Sequence, residues 1–156
     1  MGDIPKYLIK LDNDIYPERG LLDEMYNVLS VSQDNIAYTY CPFKYILPGG
    51  REIVFNRDFE GDRLLKSNYI SSNSMIKLDK LLEVGGFVTD KKYERLLDWC
   101  LWLRFYSYGY IGKKVSKSFT TPLNPDNVSA RGKQDHDLKY KRVYEDFVDL
   151  IKKAGK

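Results

Sequence analysis

Pro5-Lys6-Tyr7-Leu8-Ile9-Lys10-Leu11 runs without a break into Asp12-Asn13-Asp14. The first seven residues are apolar and β-prone, which predicts a strand. The segment after the acids predicts a helix. Pro17 suits a first helical turn and Glu18 the positive end of the helix dipole. Leu21, Leu22, Met25, Val28 and Leu29 then recur at helical spacing. Ligands of α/β sheets bind outside the carboxyl ends of strands, where this acidic triplet is expected. Two carboxylates one residue apart can hold a hard divalent cation whose open positions take phosphate oxygens. An EF-hand is excluded, because its fifth position would be Tyr16 and its sixth, normally glycine, Pro17.

Outward from this stretch, residues 35–40 predict a second strand. Residues 45–55 predict a hairpin around Pro48-Gly49-Gly50. A short helix is expected over 58–66 and an extended piece from Tyr69-Ile70. A helix over 78–84 is expected to stop at Gly85-Gly86. Thr89 or Asp90 can cap the next helix, which runs through Tyr108 and ends at Gly109. Residues 110–115 predict a strand, and 119–132 a loop rich in Pro, Asn, Ser and Gly. The last helix, 135–154, places Tyr140, Val143, Tyr144, Phe147 and Ile151 on one stripe. The mixture is α/β or α+β in one domain, with a core over 1–132 and an amphipathic basic helix over 133–156.

The chain has 156 residues, enough for one domain with a hydrophobic core and too few for two ordinary ones. No run approaches the roughly 18 apolar residues of a membrane span. The N-terminus lacks the basic-then-apolar pattern of a signal peptide, so a cytoplasmic protein is expected. Cys41 and Cys100 read as two buried thiols in a reducing compartment. A single histidine, His136, excludes multi-histidine metal sites and reads as a surface residue, so carboxylates must carry any metal or proton chemistry. Residues 131–156 hold 8 basic and 5 acidic side chains, which accounts for the whole net charge of +3. No dense basic stripe with interleaved aromatics is present, and no nucleic acid partner is expected.

A second feature lies late in the chain. Gly85-Gly86-Phe87 is followed by Leu97-Asp98-Trp99-Cys100-Leu101-Trp102-Leu103-Arg104. An acid directly before an aromatic helix is costly to bury without a partner or a purpose. Together with Asp12-Asn13-Asp14, Ser67-Asn68-Tyr69-Ile70, Ser74-Met75-Ile76-Lys77 and Gly109-Tyr110-Ile111-Gly112, these segments resemble in order and spacing the second half of a family 2 glycosyltransferase of the GT-A fold. The likeness covers about residues 5–130. It implies an α/β domain with a GT-A-like mixed sheet flanked by helices. Only 11 residues precede Asp12, so most of the family's N-terminal nucleotide-binding half is expected to be missing.

The resemblance implies a metal-dependent, inverting transfer of a sugar from a nucleotide-diphosphate donor to a hydroxyl of a glycan, lipid-linked or protein acceptor. Asp14, helped by Asp12, would hold Mn²⁺ or Mg²⁺ against the donor diphosphate, with Asn124 standing where the family carries a metal-completing histidine. Asp98 aligns with the general base. Asn13, Tyr69, Gly85, Gly86, Trp99 and Trp102 are the donor- or acceptor-binding candidates. Leu97 replaces a glutamate and Cys100 an aspartate of the family pattern. The class alternative is a non-catalytic remnant that binds carbohydrate or a partner, and haloacid-dehalogenase-type phosphatases rank below it. Their early Asp-x-Asp continues with Gly or Thr, where Ile15-Tyr16 follow here. The basic tail helix leaves open peripheral contact with anionic lipid, and an exposed sheet edge leaves open a homo-oligomer.

Overall fold

The computed structural model describes residues 4–123 and 133–155. Strand β1 (Tyr7–Ile9) leads to the acidic turn and then to a two-residue strand, β2 (Tyr16–Pro17). Pro17 is therefore not in the first turn of a helix. The Glu18 amide donates to the Ser118 carbonyl at 2.9 Å, and its carboxylate accepts from the Ser118 amide, which holds this segment extended. Helix α1 (Leu21–Ser30) starts only after Gly20, whose φ of +80° turns the chain in a conformation that L side chains rarely adopt. Leu21, Met25 and Leu29 are its buried face, as the helical spacing predicts, with Val28 half-buried, whereas Leu22 of the same expected stripe is exposed.

Strand β3 (Ile36–Tyr40) is buried along its whole length. Strands β4 (Phe43–Ile46) and β5 (Glu52–Phe55) form the expected hairpin around Pro48-Gly49-Gly50. Next come α2 (Gly61–Leu64), strand β6 (Met75–Lys77) and helix α3 (Leu78–Glu83). The extended piece expected at Tyr69-Ile70 forms no strand; β6 begins five residues after Ile70. The helix expected from Asp90 through Tyr108 is interrupted. Asp90 caps only a 3₁₀ turn at Lys91–Tyr93, accepting from the Lys92 amide at 2.9 Å, and α4 proper is Leu97–Ser107. Strands β7 (Ile111–Lys114) and β8 (Phe119–Pro122) follow, so the first residues of the expected late loop are a strand.

The strands make two mixed sheets, β1-β6-β3-β7 and β2-β8-β4-β5. β6 is antiparallel to both its neighbours, and β7 is parallel to β3. In the second sheet β8 is parallel to β4 and antiparallel to β2. Cys41-Pro42 carries β3 directly into β4, while β7 continues towards β8 alongside it. Hydrogen bonds from the Val115 amide to the Tyr40 carbonyl (2.8 Å) and from the Phe119 amide to the Pro42 carbonyl (3.3 Å) keep the two paths paired through the bend. One mixed α/β domain results, with two sheets rather than one.

Burial divides between two clusters. The larger packs Tyr38, Trp102 and Phe105 together, with the Tyr38 and Trp102 rings stacked at 4.4 Å. Gly112 on β7 allows that stack, because a Cβ there would collide with the Tyr38 ring. The smaller cluster holds α1 against Ile36, Cys41, Phe43 and Phe119. A register shift between Ile36 and Tyr38 lets β3 serve both. Both cysteines are free and buried, and burial pushes each thiol up to about 12.

Gly85 and Gly86 stop α3 as expected, with φ of +88° and +79°. Arg104 of α4 donates from Nη1 to the Gly86 carbonyl at 3.1 Å, tying this turn to the core helix. The C-terminal helix consists of α5 (Lys133–Val143), a wider π-type stretch at Tyr144–Val148 and α6 (Asp149–Lys153). Its apolar stripe faces the domain: Val143, Val148 and Ile151 are buried, and the Tyr140 ring stacks on Trp99 at 5.0 Å. The Tyr93 hydroxyl donates to Asp146 at 2.6 Å and pins the middle of the helix. Lys141, Arg142, Lys152 and Lys153 are exposed. Among the described residues no helix is long and apolar enough to cross a membrane.

Candidate functional site

Where β1 ends, the chain turns through Asp12-Asn13-Asp14 at the mouth of a cleft of about 760 Å³. Asp12 is half-buried and held from all sides. Buried Asn73 grips it twice, accepting from its amide at 2.7 Å and donating to Oδ2 at 3.1 Å. Ser72 Oγ donates to the same oxygen at 3.3 Å, and Lys10 Nζ lies 2.7 Å from Oδ1. Burial raises the Asp12 carboxyl, but Lys10, Asn73 and Ser72 together outweigh it and leave the group below its usual value. Asp14 is different. Its carbonyl accepts from Thr121 Oγ1 at 2.9 Å, while its carboxylate is exposed and has no hydrogen-bond or ion-pair partner among the described residues.

Asp98 enters the same cleft from the first turn of α4. Its Oδ1 accepts from the Trp99 amide at 2.9 Å and its Oδ2 from Asn68 Nδ2 at 2.9 Å. Burial pushes its carboxyl above the usual range, against the pull of those two hydrogen bonds. A carboxylate fixed by two hydrogen bonds in a cleft, with its pKa raised by burial, is a candidate for proton chemistry. Tyr45 of β4 lines the same cleft. Burial, then Asp98, Asp14 and Asp12, raise its phenol, which ties the three acids to one neighbourhood. Phe43, Phe55 and Phe119 supply apolar wall, with Phe43 stacked on Phe119 at 5.4 Å.

Other candidates divide. Tyr69 lines the cleft, with its hydroxyl engaged by the amide and carbonyl of Glu60. Asn13 is exposed beside the cleft without lining it. Gly85 and Gly86 lie off the cleft, in the turn bound by Arg104. Trp99 and Trp102 are core residues, fully buried, with indole N–H groups donated to the Leu64 and Ile70 carbonyls at 2.8 and 3.3 Å. Large rings whose polar tips already have backbone partners are packing elements, and they leave only Leu97 and Asp98 of this helix on the wall. Asn124 lies outside the described residues.

Several lining residues escape a reading of the sequence. Tyr45 comes from β4, and Asn68 and Asn73 both come from the loop between α2 and β6, where only the polar run Ser71-Ser72-Asn73-Ser74 hints at a network. His136 is exposed, as a surface histidine should be, yet it lines the cleft beside Leu97 and Asp98 and stacks on Tyr140 at 6.4 Å. No protein-family model matches the chain, and no curated protein matches it.

The donor set bears on the metal that the resemblance implies. Among the described residues no group of three or more His, Cys, Asp and Glu converges on one point, so a closed protein cage is not formed there. Mg²⁺ and Mn²⁺ at phosphate-transfer sites need only one or two carboxylates, with substrate phosphates and water filling the rest. Unpartnered Asp14 next to ionised Asp12 fits that open kind of site.

Proposed function

We propose that this domain transfers a sugar from a nucleotide-diphosphate donor to an acceptor hydroxyl with inversion, as a metal-dependent glycosyltransferase of the GT-A kind. The convergence of Asp12, Asp14 and Asp98 on one cleft carries this reading, since 84 positions of sequence separate Asp14 from Asp98. Asp14, with Asp12, would hold Mn²⁺ or Mg²⁺, which when bound offsets the charge that builds on the leaving diphosphate.

Asp98 does the proton work. Its raised carboxyl accepts the proton of the acceptor hydroxyl as that oxygen bonds to the anomeric carbon. The bond from that carbon to the diphosphate oxygen breaks on the opposite face, and its electron pair leaves with the nucleoside diphosphate. Asn68 and the Trp99 amide fix both oxygens of Asp98, so the base is oriented before substrate arrives. Phe43, Phe55, Phe119 and Leu97 give this cleft an apolar wall beside the three acids.

One observation favours a binding module instead. Lys10 Nζ already sits on Asp12 at 2.7 Å, where a cation would otherwise bring its charge. Thermal melting with UDP, GDP and dTDP, each with and without Mn²⁺, separates the two. The transferase reading expects a Tm rise that needs nucleotide and Mn²⁺ together and vanishes in Asp14→Ala. No rise with any nucleotide would leave a module that binds carbohydrate or a partner.

A further inference from the structure

Arg95 occupies the least favourable backbone position in the described chain for its type. Tyr93, Glu94, Arg95 and Leu96 form a type II turn: Glu94 has φ −44° and ψ 135°, Arg95 has φ +74°, and the Leu96 amide donates to the Tyr93 carbonyl at 2.8 Å. The third position of such a turn calls for glycine or asparagine. Arg95 is the non-glycine residue with positive φ among the described residues, and packing does not explain it, because the side chain is exposed.

No hydrogen bond or ion pair holds its guanidinium among the described residues. It lines the cleft three residues before Asp98, with His136 on the adjoining C-terminal helix. Lys10, the other cation of the cleft, is engaged by Asp12. Strain kept at an exposed, unpartnered residue on the rim of a site is a mark of function rather than of folding. A guanidinium presents a planar fork of donors that matches the two oxygens of a carboxylate or phosphate.

The geometry points to an anionic acceptor: Arg95, with His136, holds a phosphate or carboxylate group of the molecule whose hydroxyl faces Asp98. This inference rests on the cleft being a transfer site. It places an anion subsite on the α4 side, apart from the diphosphate side at Asp14. Neutral glycans would lack the group that Arg95 is positioned to read.

The test is an amide NMR titration of the full chain with inorganic phosphate and, separately, succinate, at constant ionic strength in chloride, without nucleotide or metal. Wild type, Arg95→Gln, Arg95→Gly and Asp14→Ala are compared. Saturable shifts at Leu97 and Asp98 are expected in wild type and Asp14→Ala, with at least fivefold weaker binding in both Arg95 variants. Arg95→Gly should melt at or above the wild-type temperature, which separates lost binding from lost folding. Phosphate alone saturating identifies a phosphorylated acceptor, and succinate alone a carboxylated one. Equal affinity in wild type and the Arg95 variants, or no saturation with either anion, overturns the inference. So does binding lost in Asp14→Ala and kept in Arg95→Gln, which would assign the anion to the donor side. Failure of the nucleotide and Mn²⁺ melting test with intact, Arg95-dependent phosphate binding would instead overturn the transferase reading and the acceptor role that rests on it, while leaving the anion subsite itself in place.

Discussion

Asn68 Nδ2 donates to Asp98 Oδ2 across 2.9 Å, and its own Oδ1 accepts from the Ile70 amide at 3.2 Å. The asparagine is thereby fixed in the orientation that presents its N–H to the carboxylate. Burial and this bond pull the Asp98 carboxyl in opposite directions, and burial wins. Removing the bond lets burial act with less opposition. If the cleft carries out the proposed transfer, the acid limb of its rate should therefore move to higher pH in Asn68→Ala than in wild type. A pH–rate profile of both proteins reads this directly, and an unchanged limb would separate Asp98 from the proton transfer.

Asp98 also carries a linkage consequence. A carboxyl whose folded pKa is raised binds its proton more tightly in the native state than in the unfolded one. Stability contributed by that group is present below the unfolded carboxylate pKa and is lost as pH rises through the folded value. Asp98→Asn should thus raise Tm at pH 7, with the gain disappearing under acid conditions, while transfer falls by about 10²-fold or more. Melting curves at pH 7 and at acid pH, beside activity, check both halves.

Asn73→Ala removes both bonds from buried Asn73 to Asp12. A loss of about 2 kcal/mol in urea unfolding is expected. Because the Asp12 carboxyl lies below its usual value partly through Asn73, its pKa should rise in this variant, as side-chain carbon NMR would show.

Tyr38 gives a prediction of opposite sign. Its hydroxyl is buried with no hydrogen-bond partner among the described residues. Tyr38→Phe keeps the stack on Trp102 and removes an unsatisfied polar group, so about 1 kcal/mol of added stability is expected. Gly112→Ala, which drives a methyl into the same ring, should instead cost about 2 kcal/mol. Urea midpoints of the two variants moving in the same direction would contradict this packing.

Gly86→Ala separates architecture from site. A Cβ there meets nothing within 4 Å, so the expected loss of about 1 kcal/mol comes from its φ of +79° alone. The nucleotide and Mn²⁺ response should survive, since Gly86 lies off the cleft.

Local chemistry made the acidic turn and the helix stop legible. Asp12 and Asp14 close an apolar strand, and paired glycines at 85 and 86 can take the positive φ that ends α3. The break before α4 was hidden, because an arginine occupies the turn position that glycine would have signalled. Strand β8 was equally hidden. Phe119-Thr120-Thr121-Pro122 merges into a loop-like composition, and its partner β4 lies more than 70 residues earlier. Trp99 and Trp102 were acceptor-side candidates because they lie on the helix that carries Asp98. Their burial depends on the Leu64 and Ile70 carbonyls, which no local pattern reveals. Tyr45, Asn68 and Asn73 join the site for the same reason: folding brings them there, not spacing.

The pairing of β2 with β8 has a consequence for the order of assembly. Thr121 closes on the Asp14 carbonyl across 107 positions of chain, and β8 must also find its parallel partner β4. Such long-range closures form late, after local helices and hairpins. During synthesis, Asp12 and Asp14 leave the ribosome more than a hundred residues before the strand that walls their cleft. A nascent chain ending short of β8 carries Asp12, Asp14 and Asp98 but lacks Phe119 and Thr121, which line the same cleft, so the cleft is completed only with the last strand.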